Sequence, residues 1–414
     1  MKYRYPALLF ASFIAFLFLY NPADLYFLSD DFDSVLKVRS TSYILHSFRP
    51  LSDLSLKVDN LLWGNNATGY FFTNILLHLL STSVLYLFTK QLCLAVYNQI
   101  DSKRNAFFVA ILFLFYPYHS EPLFWIVGRG ATLCTLMALL SLFFYLKKQE
   151  NIGYYFLSLL FFIAGALSYE AIWILPLIII IISIVLAEKK MRSKEAVYIL
   201  GFWCAFLIYL VIRFYLTKEI IGSPYGSAAV ISSTTFFIKI KNYVALLSRS
   251  FLPPAKESFL YIIYFLGLAT CLGFTFYKLI RRWNRILNIS IPSFLVCLLP
   301  AISFGIDTHD TEGERFLYLP SVFLAISVVI ILSTLLKNKA VPVFCILVIA
   351  EGGFLFYNYQ SFKTAGSITK ETVKQFSSLK NIDNLICINL PSQFRGAYIF
   401  RNGFESAIKL YAGV

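Results

Sequence analysis

The chain has 414 residues, of which 58% are hydrophobic and 18% aromatic, while only 14% carry charge. A soluble chain of this length keeps about a quarter of its residues charged, so this composition describes a protein solvated by lipid. The net charge of +14 raises nucleic acid as a partner, but Lys and Arg sit in short clusters between apolar runs, a pattern of topology signals and not of a phosphate-tracking groove.

Eleven apolar stretches are long enough, at about 15 to 25 residues, to cross about 30 Å of hydrocarbon as helices. They lie near 5–22, 69–89, 105–118, 122–146, 152–168, 171–187, 195–216, 258–279, 286–304, 316–336 and 340–358. No small-residue cleavage site follows the first of them, so it reads as a span and not as a signal peptide. Two long connections, 23–68 and 217–257, mix aromatic and charged residues at helical spacing. They read as helices in the plane of the interface, serving as anchors or walling a lateral opening for a lipid. Beyond residue 358 the chain leaves the membrane, and the apolar run Leu385–Leu390 before Pro391 predicts a strand in a small soluble appendage. The expected organisation is an all-α polytopic membrane protein with a transmembrane region 1–358 and a short C-terminal segment 359–414. The seven Cys occur singly, with no CxxC pair and no Cys/His cluster, so a zinc site is not expected.

Orientation follows from the basic residues. With the N-terminus inside, the inner connections hold Lys2 and Arg4, then Lys90, Lys103 and Arg104, then Lys147 and Lys148, then the 189–194, 278–285 and 337–339 clusters. The short outer connections hold only Arg315. This is the positive-inside pattern, with the C-terminus outside; a bacterial inner membrane is the preferred setting. The outer face then receives Asp30, Asp31, His119, Glu121, Glu170 and the segment from Asp307 to Arg315. Charges near hydrocarbon are costly, so their convergence on one face points to a polar site there, although outer loops can also simply collect acids.

Adjacent Asp30 and Asp31 raise each other's proton affinity, which suits a general base for a hydroxyl or a divalent metal site; helix capping would also explain them. The segment Phe115-Tyr-Pro-Tyr-His-Ser-Glu-Pro122 breaks a helix and presents His119 and Glu121 at the outer surface. Arg129 lies two turns into the next span, where a phosphate or a carboxylate is its expected partner. Glu170 falls at the junction of two apolar runs, Glu314 and Arg315 open a span beside Tyr318, and Glu351 sits inside the last span.

Four stretches together carry a resemblance: HSFRPLSDLSLKVDNLLWGNNATGYFFTNILLHLL from His46 to Leu80, FLFYPYHSEPLFWIVGRGATL from Phe113 to Leu133, ALSYEAIWILP from Ala166 to Pro176, and ERFLYLPS from Glu314 to Ser321. In order along residues 25–325, they resemble the membrane region of the transmembrane-and-tetratricopeptide-repeat O-mannosyltransferases and their bacterial relatives, within the GT-C superfamily. The repeats themselves are absent, and the family's Ser-Lys-Glu element stands here as Ser168-Tyr169-Glu170. The resemblance implies a GT-C-like bundle and inverting transfer of a hexose, mannose among the candidates, from a polyprenyl-phosphate sugar to a hydroxyl on a protein, glycan or lipid. It implies Asp30 as base, with Asp31 orienting it or binding a metal. Arg129 and Arg315 become candidates for phosphate contact, His119, Glu121 and Glu170 for the acceptor or polar frame, and Arg49 for the donor head group. Glu314 and Tyr318 complete the set. The rival readings are a transporter or lipid flippase, and a surface-polysaccharide polymerase or ligase.

Overall fold

The computed structural model describes residues 4–39, 48–97, 102–187, 193–218, 236–255, 284–377 and 389–412, together with residues 262–264, 266–270, 273, 275 and 387. Its described residues are overwhelmingly helical, with one two-residue antiparallel ladder pairing Gln393 with Tyr398 and Phe394 with Ala397.

Six helical stretches are long and apolar enough to cross a bilayer: Arg4–Asp24, Ala67–Val96, Ile126–Lys147, Ser193–Thr217, Glu314–Leu336 and Ala340–Phe376. A bent pair, Ser102–Leu114 with Pro117–Phe124, turns through 57° at the break and forms either a seventh, broken crossing or a re-entrant loop. Pro117 has no N–H to continue the first helix, so the chain must turn there. Three more apolar helices, Ile152–Ala166, Glu170–Leu186 and Leu287–Ala301, occupy the places of expected spans but are short. Six or seven of the eleven expected spans thus meet the length for a crossing among the described residues, and helix breaks at Tyr169 and around Pro300 bound the shorter segments. The expected span at 258–279 falls mostly outside the described residues.

The hydrophobic core runs through the bundle, not around one side of it. Arg129–Lys147 and Tyr318–Leu336 are central and largely enclosed by protein. Ser193–Thr217 and Ala340–Ser377 are peripheral, with Val197, Leu200, Leu207, Val211, Ile346, Ile349 and Phe354 turned outward. That outward apolar face is the lipid-solvated face of a membrane bundle. In the centre, Ser and Thr hydroxyls return to the carbonyl one turn back, as Thr82 does to His78 and Ser327 to Phe323, each at about 2.9 Å or less.

Both expected interfacial regions hold helices. In the first, Asp30–Lys37 and Pro50–Trp63 are described; in the second, Phe236–Arg249. Pro50–Trp63 exposes Leu54, Val58, Leu61 and Leu62 while burying Ser52, Asp53 and Asp59, so its polar side faces the protein. The expected boundary after residue 358 lies within a helix that runs unbroken from Ala340 to Ser377. The expected strand at 385–390 lies mostly outside the described residues. Past it, the hairpin and the helix Phe404–Ala412 fold back onto Asp30–Lys37 and the last long helix.

Candidate active site

At one end of the bundle four chain segments meet around a small cavity of about 20 Å³, lined by Leu28, Ser29, Glu121, Trp125, Phe362, Gly396, Tyr398 and Arg401. The first is the turn into Asp30–Lys37. Ser29 precedes that helix with φ of 48°, a backbone state unfavourable for a residue with a side chain. Asp30 opens the helix, half-buried, and its Oδ1 accepts from Asn402 Nδ2 at 3.1 Å and from Ser29 Oγ at 3.4 Å. Asp31 is fully buried. Its Oδ2 accepts from Leu28 N–H at 3.0 Å and its Oδ1 from Val127 N–H at 3.2 Å, so it ties the first loop to the turn before Arg129. Burial pushes the Asp31 carboxyl up to about 8, against the pull of those backbone donors.

The second segment is the broken helix. Glu121 accepts from Arg315 Nη1 at 2.8 Å, from Arg315 N–H at 2.9 Å and from Gly313 N–H at 3.3 Å. The turn carrying it closes tightly at Gly128, where an added Cβ would lie 2.4 Å from the Glu121 carbonyl oxygen. Arg315 lies over the Trp125 ring, 5.4 Å from its centroid. Glu314, next in sequence, faces the other way: it is fully buried, bonded to Ser120 and paired with Arg249 at 2.8 Å.

A second charged set sits apart from the pocket's lining. Glu170 is gripped by Arg49 at 2.7 Å and by Arg213 at 3.0 Å. Arg49 stacks over Tyr169, and Arg213 lies between Phe48 and Trp173 while donating to Tyr209. Two guanidiniums therefore converge on one carboxylate.

The remaining expected site residues lie elsewhere. Arg129 is 1% exposed and is bound by Asp59 at 2.5 Å, Asn74 at 2.7 Å and the Tyr70 carbonyl at 2.9 Å, so of its two expected partners it finds the carboxylate. His119 does not reach the surface: the bend at Pro117 aims it into the core, against Tyr318, with Nε2 2.9 Å from Ser321 Oγ. Tyr318 is equally buried, its hydroxyl 2.6 Å from His78 Nδ1. The sequence reading did not single out Arg213, Arg249, Asp59 or Asn402. A lone Arg inside the apolar run 193–217 was a usable signal for the first.

A divalent metal fits the acidic pair poorly. Asp31 has both oxygens taken by backbone N–H groups, which leaves Asp30 as the one available ligand there. Asp307, Asp310 and Glu312 instead bring carboxylate oxygens within 4.8 Å of one another, the hard donors such a cation takes. Tyr398 donates to Asp310 and Glu312 at 3.1 and 2.7 Å, and Arg401 pairs with Glu312 at 2.8 Å, so protein groups already answer part of that charge.

The geometry is that of a multi-pass helical bundle with an acid- and guanidinium-bearing pocket at one end. No protein-family model matches the chain. In sequence it is similar to the mouse protein O-mannosyl-transferase TMTC2, 33% identical over 125 residues, which are 30% of this chain and 14% of that protein. The chain thus matches about a seventh of the length of that curated relative. In structure it is similar to ArnT from Cupriavidus metallidurans in the apo state, with a TM-score of 0.55 and 12% identity over 98% of this chain and 84% of that one. It is also similar to the archaeal oligosaccharyltransferase AglB from Archaeoglobus fulgidus in complex with an inhibitory peptide and a dolichol-phosphate, with a TM-score of 0.50 and 11% identity over 99% of this chain and 64% of that one. The resemblance to the GT-C superfamily, read first from four sequence stretches, is therefore met in the fold as well.

Proposed function

We propose that the chain is a membrane glycosyltransferase of the GT-C type. It moves a hexose from a polyprenyl-phosphate carrier to an acceptor hydroxyl at the bundle end that holds Asp30. The observation that carries this reading is the pocket itself: the Asp30 turn, the Glu121–Arg315 pair and the C-terminal hairpin converge on it from widely separated parts of the chain. The O-mannosyl-transferase name of the sequence relative supports a mannose donor and a protein acceptor, and the lipid phosphate and peptide held by the archaeal structure support the same substrate classes. The basic residues of the connections expected inside support an extracytoplasmic site, in a bacterial inner membrane with the C-terminus in the periplasm.

The chemistry is a single displacement. Asp30 takes the proton of the acceptor hydroxyl as its oxygen attacks the anomeric carbon; the bond to the phosphate oxygen breaks, and its electron pair leaves on the lipid phosphate. Attack from the face opposite the phosphate inverts the anomeric centre. Phosphate is already a good leaving group, so the protein's chief tasks are the base and cations for the departing charge. Asp31, locked between two loops, orients its neighbour. Arg49 and Arg213 are the better phosphate contacts, because two guanidiniums converge on Glu170 and Arg49 keeps part of its side chain exposed, whereas Arg315 pairs with Glu121 and Arg129 is sealed against Asp59. Glu121 and Arg315 are left to frame the acceptor.

Purified protein incubated with a panel of polyprenyl-phosphate sugars should consume one donor and release lipid phosphate. Asp30→Asn should lower that rate by about 10²- to 10⁴-fold, the usual worth of a positioned base. Unchanged transfer by that variant would remove the base assignment, and no donor consumption from any sugar would remove the transferase reading.

A further inference from the structure

The C-terminal segment is stitched to the turn that presents Asp30. Ser29 N–H donates to the Ile399 carbonyl at 2.8 Å, and Asn402 N–H donates to Ser29 Oγ at 3.4 Å. Ser406 donates to Asp33, one turn further along the same helix. Between them Gly403 adopts φ of +78°, and an added Cβ there would lie 2.2 Å from the Ser29 carbonyl oxygen, so both backbone state and space demand glycine. Tyr398 and Arg401, from the same turn, line the pocket opposite Glu121 and Trp125. The strained backbone at Ser29 is thus held by partners from the far end of the sequence.

We propose that Asn402 is a positioning residue for Asp30, and that the turn around it is a working part of the site. Its amide donates to Oδ1 at 3.1 Å, which fixes the carboxylate's rotation and leaves Oδ2 for the acceptor hydroxyl. A base that turns freely about its last bond presents the wrong oxygen or the wrong lone pair for part of the time, and small misplacements are costly in rate. The 372 residues separating the partners make this a tertiary device, invisible in either segment alone. The inference rests on reading Asp30 as the base.

The test uses full-length protein in detergent with the donor and acceptor found active above. Asn402→Ala should lower kcat about tenfold, the usual worth of a hydrogen bond to a charged group, with donor KM and thermal midpoint unchanged. Asn402→Gln, which keeps the amide donor, should recover part of that loss. Asn402→Asp should be slower still above neutrality, because two carboxylates then repel, and should regain rate as pH falls and the pair comes to share one proton. Lys409→Ala, on the exposed side of the same segment, should behave as the parent protein. Wild-type kcat in Asn402→Ala would overturn the inference, as would identical pH profiles for the Ala and Asp variants. Should Asn402→Ala fail to fold, the Asp variant decides alone: regained rate at lower pH supports the role, and a flat loss overturns it. If Asp30→Asn is inactive while Asn402→Ala is normal, only this inference falls; if Asp30→Asn is normal, the base reading falls first.

Discussion

Arg129 with Asp59, and Arg49 and Arg213 with Glu170, are built from the same two functional groups near the same end of the bundle, yet they are equipped for different tasks. The first pair is sealed, with 1% and 4% of the two side chains exposed, and its charges cancel. The second places two guanidiniums on one carboxylate, and Arg49 and Glu170 keep 13% and 23% of their side chains in reach of solvent. Access, not residue type, separates the two sets.

Removing a guanidinium from each set should break or sharpen that contrast. The largest effect is expected from Arg129→Ala, which strands Asp59 as a buried charge with no second cation; such losses cost about 3–5 kcal/mol. Folded yield and thermal midpoint in detergent should both collapse, and a stable, active variant would erase the distinction. Arg49→Ala leaves Glu170 with Arg213, so the fold should survive while donor KM rises roughly tenfold or more, as loss of a charge-assisted bond predicts. A change confined to stability would place this set with the first.

A smaller, pH-dependent effect should come from Asp31. Its carboxyl is favoured neutral in the folded chain, so the unfolded chain releases its proton more readily. The stability this provides is complete below its ordinary value of 3.8 and is lost as pH climbs through about 8. The thermal midpoint should fall across that window, and Asp31→Asn, nearly the same shape, should flatten the slope. The smallest effect belongs to the exposed pair of Lys363 with Asp24, with 43% and 35% of the side chains exposed, where Lys363→Ala should shift stability by less than about 1 kcal/mol.

The sequence disclosed most of the membrane architecture, because a run of apolar residues carries its own reason for being helical and buried in lipid. It also disclosed Asp30, Glu121, Glu170 and Arg315 as out of place near hydrocarbon, and the resemblance added Arg49. What it could not disclose was pairing. Glu121 meets Arg315 across 194 residues and Arg49 meets Glu170 across 121, distances at which nothing local encodes a partner. His119 misled for a related reason: a proline break announces a turn but not its direction, and here the imidazole was carried inward. Asn402 escaped notice because nothing in its own segment encodes a contact with Asp30, 372 residues away.

The last long helix has a consequence for reach. At 38 residues it is about 57 Å long, nearly twice the hydrocarbon thickness, so a rigid rod stands well clear of the lipid on the side where the chain ends. The segment that follows it folds back to the Asp30 turn instead of extending outward. The helix therefore acts as a mast for that segment: Phe376 packs on Phe404, so the length of the helix and the seating of the C-terminal turn on Ser29 are coupled.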